Sequence, residues 1–280
     1  MTRWAAGVEY VGTHYSGWQS QAHAPSIQQE IERVLSAVAD HPVKVTAAGR
    51  TDAGVHACNQ VIHFDSDAPR APHAWLFGSN SQLRRDIGLR WVQAVDPAFH
   101  ARYGATARRY RYVMMPGRTR SALLADRVAW LVGTLAAEPM HRAAQALVGE
   151  HDFSGFRDSG CQSRSPIRNL HEITVWSSAP FVVLDVRANA FLHHMVRNIA
   201  GVLMAIGQGK QPEAWARTVL DSRSRAAGGV TAEPGGLYFI GPDYRAQFGL
   251  PAAPEPWFPG PRPGHGVQGP APDGSTRGRA

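Results

Sequence analysis

The chain has very little cysteine and very little lysine. Cys58 and Cys161 are the only thiols among 280 residues. Two cysteines so far apart make neither a disulfide framework nor a zinc site of the paired-cysteine kind, and a reducing compartment is the default for such a chain. Long apolar runs are missing as well. No stretch approaches the roughly 18 uninterrupted apolar residues of a membrane span. The opening MTRWAAGVEYVGTHYSG has no apolar core of the secretory-signal type. The expectation is a soluble, cytoplasmic protein that makes no use of a membrane. Lys44 and Lys210 are the only lysines, so arginine carries the basic charge.

That arginine is abundant and concentrated. The chain holds 29 basic and 22 acidic residues, a formal net charge of +7, with an isoelectric point near 9.9. Between Arg84 and Arg127 stand ten arginines against three acids, Asp86, Asp96 and Asp126, which equals the whole surplus. A planar guanidinium donates two hydrogen bonds at once to a phosphate, so a polyanionic partner is one reading. A solvated surface is the other. Hydrophobic content of 44% and charged content of 18% fit a folded chain, long enough for one large domain or two ordinary ones.

The pattern of apolar residues gives the order of elements. A strand is predicted over residues 4–11. A polar, glycine-punctuated loop, GTHYSGWQSQAHAP, leads to Ser26-Ile-Gln-Gln29, a capping-box signature. Ile27, Ile31, Val34, Leu35 and Val38 follow at helical spacing, and Asp40-His-Pro42 ends that helix. Strands are predicted at 43–48, 57–65 and 89–95, with a helix over 72–83. The second half gives a strand at 107–115, a helix at 138–148, strands at 170–176 and 181–188, an apolar helix at 191–207, a short helix from Pro212 and a strand at 236–241. Each half therefore reads β-α-β-β-α-β, although no residue-level repeat links them. The fold class is α+β, with two ferredoxin-like, RNA-recognition-motif-like subdomains at 1–103 and 104–248. Residues 251–280 contain eight prolines and six glycines. The segment 249–280 is expected to be a disordered tail.

Two stretches carry the candidate chemistry. In AAGRTDAGVHA, Asp52 sits beside Arg50 on a short segment between Gly49 and Gly54. Glycines permit a tight backbone, flanking strands would hold it rigidly, and Arg50 could keep the carboxylate ionised. Asp52 could equally be a turn residue satisfied by an ion pair. In FHARYGATARRYRYVMM, strand alternation puts Arg109 and Arg111 on one face and Arg108, Tyr110 and Tyr112 on the other. Rings that stack bases and guanidiniums that hold phosphates suit nucleic acid; tyrosines in a sheet core with arginines in solvent fit equally well. NAFLHHMVRN reads as a core helix with His193, His194 and Arg197 at its polar edge. Adjacent residues do not share a helix face, so the two histidines are not read as a metal pair.

Four collinear blocks, GWQ with its capped helix, AGRTDAGVHA, FHARYGATARRYRY and NAFLHHMVRN, resemble the tRNA pseudouridine synthase A (TruA) family. CQSRSP and GGLY add to the match, which runs from about residue 3 to 245. The resemblance implies two subdomains whose antiparallel sheets join across a central basic cleft. It implies a cofactor-free, metal-free homodimer that isomerises uridine to pseudouridine at positions 38, 39 and 40 of the tRNA anticodon stem-loop. By the same resemblance Asp52 matches the catalytic aspartate, Arg50 an arginine linked to base flipping, and Tyr110 a tyrosine packed on the target base. Arg102, Gln162 and Arg164 fall in tRNA-contacting segments, and Arg70 and Arg118 align with further contacts. Two other readings stay open. A non-catalytic pair of RNA-binding modules leaves Asp52 without a task. A metal-dependent phosphoesterase needs clustered carboxylates or histidines, and only Asp65 and Asp67 are near one another.

Overall fold

Alternating apolar residues make β1 (Thr2–Tyr10), which turns Trp4, Ala6, Val8 and Tyr10 into one core. The computed structural model describes residues 1–253; residues 254–280, most of the expected tail, lie outside the described part. Helix α1 (Ile27–Ala39) starts at Ser26, whose hydroxyl accepts the Gln29 N–H at 3.3 Å. Among the described contacts the reciprocal half of the capping box is absent. The helix ends where Asp40 turns left-handed. The strand expected next is only Thr46–Ala47, β2. Its predicted first residues lack a strand partner because α1 takes their N–H groups: Ser36 Oγ accepts from Val43 and the Glu32 carboxylate from Val45. Then come β3 (His56–Ser66), α2 (Pro72–Asn80) and β4 (Ile87–Ala94). The Asn80 side chain both donates to and accepts from the Leu89 backbone, which ties the helix end to β4.

The second half comprises β5 (Ala107–Gly117), β6 (Ala129–Val132), α3 (Ala137–Gln145), β7 (Gly149–Asp152), β8 (Ile167–Ser178), β9 (Phe181–Ala188), α4 (Met195–Gly207), α5 (Trp215–Ser222) and β10 (Leu237–Asp243). Strands β6 and β7 were not anticipated. Both are four residues long, and β7 reads GEHD, with no apolar alternation to reveal it. Helix α4 begins at Met195 rather than at 191, since His194 adopts φ 58°.

One sheet runs through the whole molecule in the order β4-β1-β3-β10-β5-β9-β8-β7. Strands β4-β1-β3-β2 and β10-β5-β9-β8 have the same spatial order, the arrangement expected of a βαββαβ unit. They join along β3, whose edge changes partner midway. Its later residues pair with β2 (Thr46 with His63, Ala47 with Ile62), and its first residues pair in parallel with β10 (His56 with Tyr238, Ala57 with Phe239). Segment 48–55 leaves the sheet at this changeover. Helices α1 and α2 cover one apolar cluster and α3, α4 and α5 another. Tyr110 packs against both, so the two helical layers lie on the same sheet face with Tyr110 between them.

The arginine-rich strand divides between the two faces as alternation predicts, and neither reading of it holds in full. Arg109 and Arg111 do not meet solvent as free charges. Both clamp Asp185 on β9, at 2.7 and 3.0 Å from Arg109 and at 3.0 and 2.8 Å from Arg111. Arg111 is 1% exposed and lies over the Trp176 ring. Arg108 donates to the carbonyls of Ala48, Arg102, Ala105 and Asn189. Part of the basic surplus is thus structural. Among the described residues no helix is long and apolar enough to cross a membrane.

Candidate active site

The loop bearing Asp52 is held from both ends. Its Thr51 carbonyl accepts the Trp18 N–H at 3.0 Å, and Thr51 Oγ1 lies 2.8 Å from the Tyr10 hydroxyl. Gln60 donates to the Gly49 carbonyl at 2.7 Å. Gly54 (φ 78°) makes the turn that returns Val55 N–H to the Asp52 carbonyl. Gly17 (φ 92°) lets the GWQ segment approach, since a Cβ there would fall 2.7 Å from the Thr51 oxygen. Beyond the loop, His56 accepts the Gly12 N–H at Nδ1 and donates from Nε2 to the carbonyls of Asp126 and Gly235. Burial, then Arg127, lowers its pKa to about 4, so the ring is neutral and pins the loop to the second half.

The side chain of Asp52 meets three cationic or ionisable groups, all from the second half. His193 Nε2 lies 3.4 Å from Oδ1, His194 Nε2 3.4 Å from Oδ2, and Arg197 Nη1 3.5 Å from Oδ2. This corrects two expectations. Arg50 is exposed on the same cleft and forms no ion pair with Asp52; Arg197, in the first turn of α4, stands in that place. The two histidines are not at the edge of a helix. They precede it, and the left-handed backbone at His194 stacks their rings with centroids 3.9 Å apart. Behind them is Asp158, at 3.3 Å from His193 Nδ1 and 2.9 Å from His194 Nδ1. Its carboxyl is held below the usual range, first by the Gly160 N–H and also by His194.

Around these residues lies a cleft of about 1070 Å3. It exceeds the 300–1,000 Å3 of ordinary small-molecule pockets and is sized for part of a larger ligand. Arg50, Asp52, Arg102, Tyr110 and Gln162 all line it. Arg70, Arg118 and Arg164 are exposed but lie outside its wall. Tyr110 is half-buried, with Phe191 edge-on at 5.1 Å and Phe239 at 4.9 Å. Burial, then the Asp52 charge, pushes its pKa up, so the phenol is protonated at neutral pH. Arg108, which the sequence placed on one strand face with Tyr110, also lines the cleft, whereas Trp18, Asp158, Arg168, His193, His194 and Arg197 escaped the sequence reading as site residues. The GWQ and NAFLHHMVRN blocks, quoted above for the resemblance, were the signal available for Trp18, His193, His194 and Arg197. Of the carboxylate pair named for the phosphoesterase reading, Arg3 takes both oxygens of Asp65 and Asp67 is exposed beside His41, whereas the carboxylate and histidines that do cluster are Asp52, His193 and His194.

Comparison with known proteins gives the family. The profile of the tRNA pseudouridine synthase family matches residues 6–104 and 143–245. This chain belongs to that family. It is 53% identical over 264 residues to the tRNA pseudouridine synthase A of Aeromonas hydrophila subsp. hydrophila, covering 94% of this chain and 98% of the relative. The protein of the same name from Nitrosococcus oceani is 52% identical over 254 residues, 91% of this chain and 98% of the relative. That from Coxiella burnetii is also 52% identical over 254 residues, 91% and 97%. For a synthase of this family, the two matched segments flank the cleft from both halves.

Proposed function

We propose that this chain isomerises uridine to pseudouridine in tRNA, at positions 38, 39 and 40 of the anticodon stem-loop, with Asp52 acting at the sugar–base junction. The observation that carries the proposal is the Asp52 carboxylate. It stands on the cleft wall beside Tyr110, held only loosely, with lone pairs open to a ligand. The reaction breaks the bond from uracil N1 to ribose C1′, turns the ring, and joins C5 to C1′. Nothing is oxidised and nothing is added, so the balance calls for no redox partner. Positive charge grows at C1′ as the first bond breaks. An ionised carboxylate can stabilise that charge or attack, as in retaining glycosidases.

The target base must leave its stack, at a cost of a few kcal/mol. Tyr110, braced by Phe191 and Phe239, offers a replacement stacking face worth roughly 1–3 kcal/mol. Arg50 fills the gap in the stem. Arg102 and Gln162 meet the backbone at the cleft, and Arg70, Arg118 and Arg164 extend the contact beyond it. Such contacts set register without reading sequence. The working form is a cytoplasmic homodimer. A non-catalytic RNA-binding pair of modules is not favoured, because relatives named as synthases match nearly the full chain. The test is incubation with tRNA carrying C5-tritiated uridine, followed by mapping of pseudouridine. Tritium release confined to residues 38–40 is expected; tRNA binding without release would contradict the proposal.

A further inference from the structure

The turn that leads into Gln162 is fastened to the histidine pair through both backbone and side chain. The Asp158 N–H donates to the His193 carbonyl at 3.2 Å, and the His193 N–H reaches Cys161 Sγ at 3.4 Å. The Asp158 side chain adds two contacts, from Oδ2 to His194 Nδ1 at 2.9 Å and from Oδ1 to His193 Nδ1 at 3.3 Å. Oδ1 also accepts the Gly160 N–H at 2.9 Å, and the Cys161 N–H returns to the Asp158 carbonyl at 3.1 Å. The carboxylate is thus fixed by its own turn before it meets the imidazoles. The Gly160 N–H, and then His194, hold its pKa below the usual range. An ionised carboxylate only accepts, so Nδ1 of His194 is the donor in the 2.9 Å bond.

The helix that follows does not set these rings. His194 precedes α4 in a left-handed conformation, and its side chain caps no N–H of that helix. Stacking ties the two rings to each other, and Asp158 anchors the stack at one end. At the other end His193 Nε2 lies 3.4 Å from Oδ1 of Asp52 and His194 Nε2 3.4 Å from Oδ2. Those contacts are longer than the roughly 2.7–2.9 Å of a charged hydrogen bond. They bound the swing of the Asp52 carboxylate without saturating its lone pairs. Both histidines line the cleft, and Asp158 does not. We propose that Asp158 is a positioning residue, which holds the stacked His193–His194 pair against Asp52 and so sets the direction in which that carboxylate faces the nucleotide. The inference rests on the role given to Asp52 above.

The test is single-turnover tritium release with the full chain in excess over tRNA, and tRNA affinity measured separately by filter binding. The variants are Asp158→Ser, His194→Ala and the two combined. A serine hydroxyl still takes the Gly160 N–H within the turn but is too short to reach the imidazoles. Asp158→Ser is expected to slow release by about 10- to 100-fold, the scale of a small misalignment at a reacting centre. Its affinity for tRNA should stay within about twofold of wild type, since only the chemical step is touched. Added to His194→Ala, the same change should cost less than about threefold more, because the anchor has lost its closest partner. Circular dichroism verifies that each variant is folded, and Asp158→Thr, which keeps the same turn, serves if Asp158→Ser is not. Unchanged release in Asp158→Ser, a loss confined to affinity, or full additivity with His194→Ala overturns the inference. Absence of release by wild type, or wild-type release by Asp52→Asn, refutes instead the role given to Asp52, and the positioning role falls with it.

Discussion

Among the aspartates that face arginine, Asp185 and Asp52 are treated in opposite ways. Asp185 is clamped by Arg109 and Arg111 at 2.7–3.0 Å, on the sheet face away from the helices. Asp52 meets Arg197 and two histidines at 3.4–3.5 Å, on the helical side, in a cleft. The first carboxylate has its lone pairs saturated by fixed donors and can do nothing but hold β5 to β9. The second has only longer contacts and opens on the cleft. Proximity of Arg to Asp therefore says little about chemistry; contact length and access to solvent decide it.

Removing each carboxylate in turn should separate the two roles. Asp185→Asn leaves Arg111 buried without its counter-charge and should cost about 3–5 kcal/mol. Asp52→Asn should change stability by less than about 1 kcal/mol. Urea titrations of both variants measure this, and equal losses would erase the distinction. A second partition concerns the buried neutral His56 beside the Asp52 loop. Its folded pKa, about 4, lies below the ordinary 6.5. The unfolded chain binds the proton first as pH falls. The contribution is complete above pH 6.5 and is lost as pH falls toward 4, on the order of 3 kcal/mol at most. His56→Gln should flatten the urea midpoint across this window, and an unaltered slope would reject it.

The third prediction separates structural from free arginines. With four phosphate contacts, tRNA affinity should fall about a hundredfold between 50 and 200 mM salt. Arg118→Ala should reduce the slope of log affinity against log salt by about one. A flat salt response would deny the exposed arginines their task. A backbone effect is expected at Gly17→Ala, where a Cβ meets the Thr51 oxygen at 2.7 Å and φ is 92°. A loss of about 1–3 kcal/mol, with kcat falling further than stability, would show that GWQ positions the Asp52 loop for the proposed reaction.

Much of the fold was legible because apolar spacing is local. The α1 capping serine, the β9 boundaries and the β-α-β-β-α-β order all follow from it. The short β2 was not legible, because Ser36 and Glu32 on α1 take the N–H groups that a strand would use. Strands β6 and β7 are too short and polar to show a period. At the site, Asp52, Arg50 and Tyr110 could be named from their motifs. The partner of Asp52 could not, because Arg197 is 145 positions away and Arg50 is two. His193 and His194 were misread by treating them as helical. One left-handed residue, invisible to periodicity, brings both rings to the same side.

The most direct test measures tRNA binding and tritium release on one sample of Asp52→Asn. Full affinity with release reduced to the uncatalysed background is the predicted result. Release surviving at an appreciable fraction of the wild-type rate would contradict it, and the group acting at C1′ would have to be sought elsewhere in the cleft.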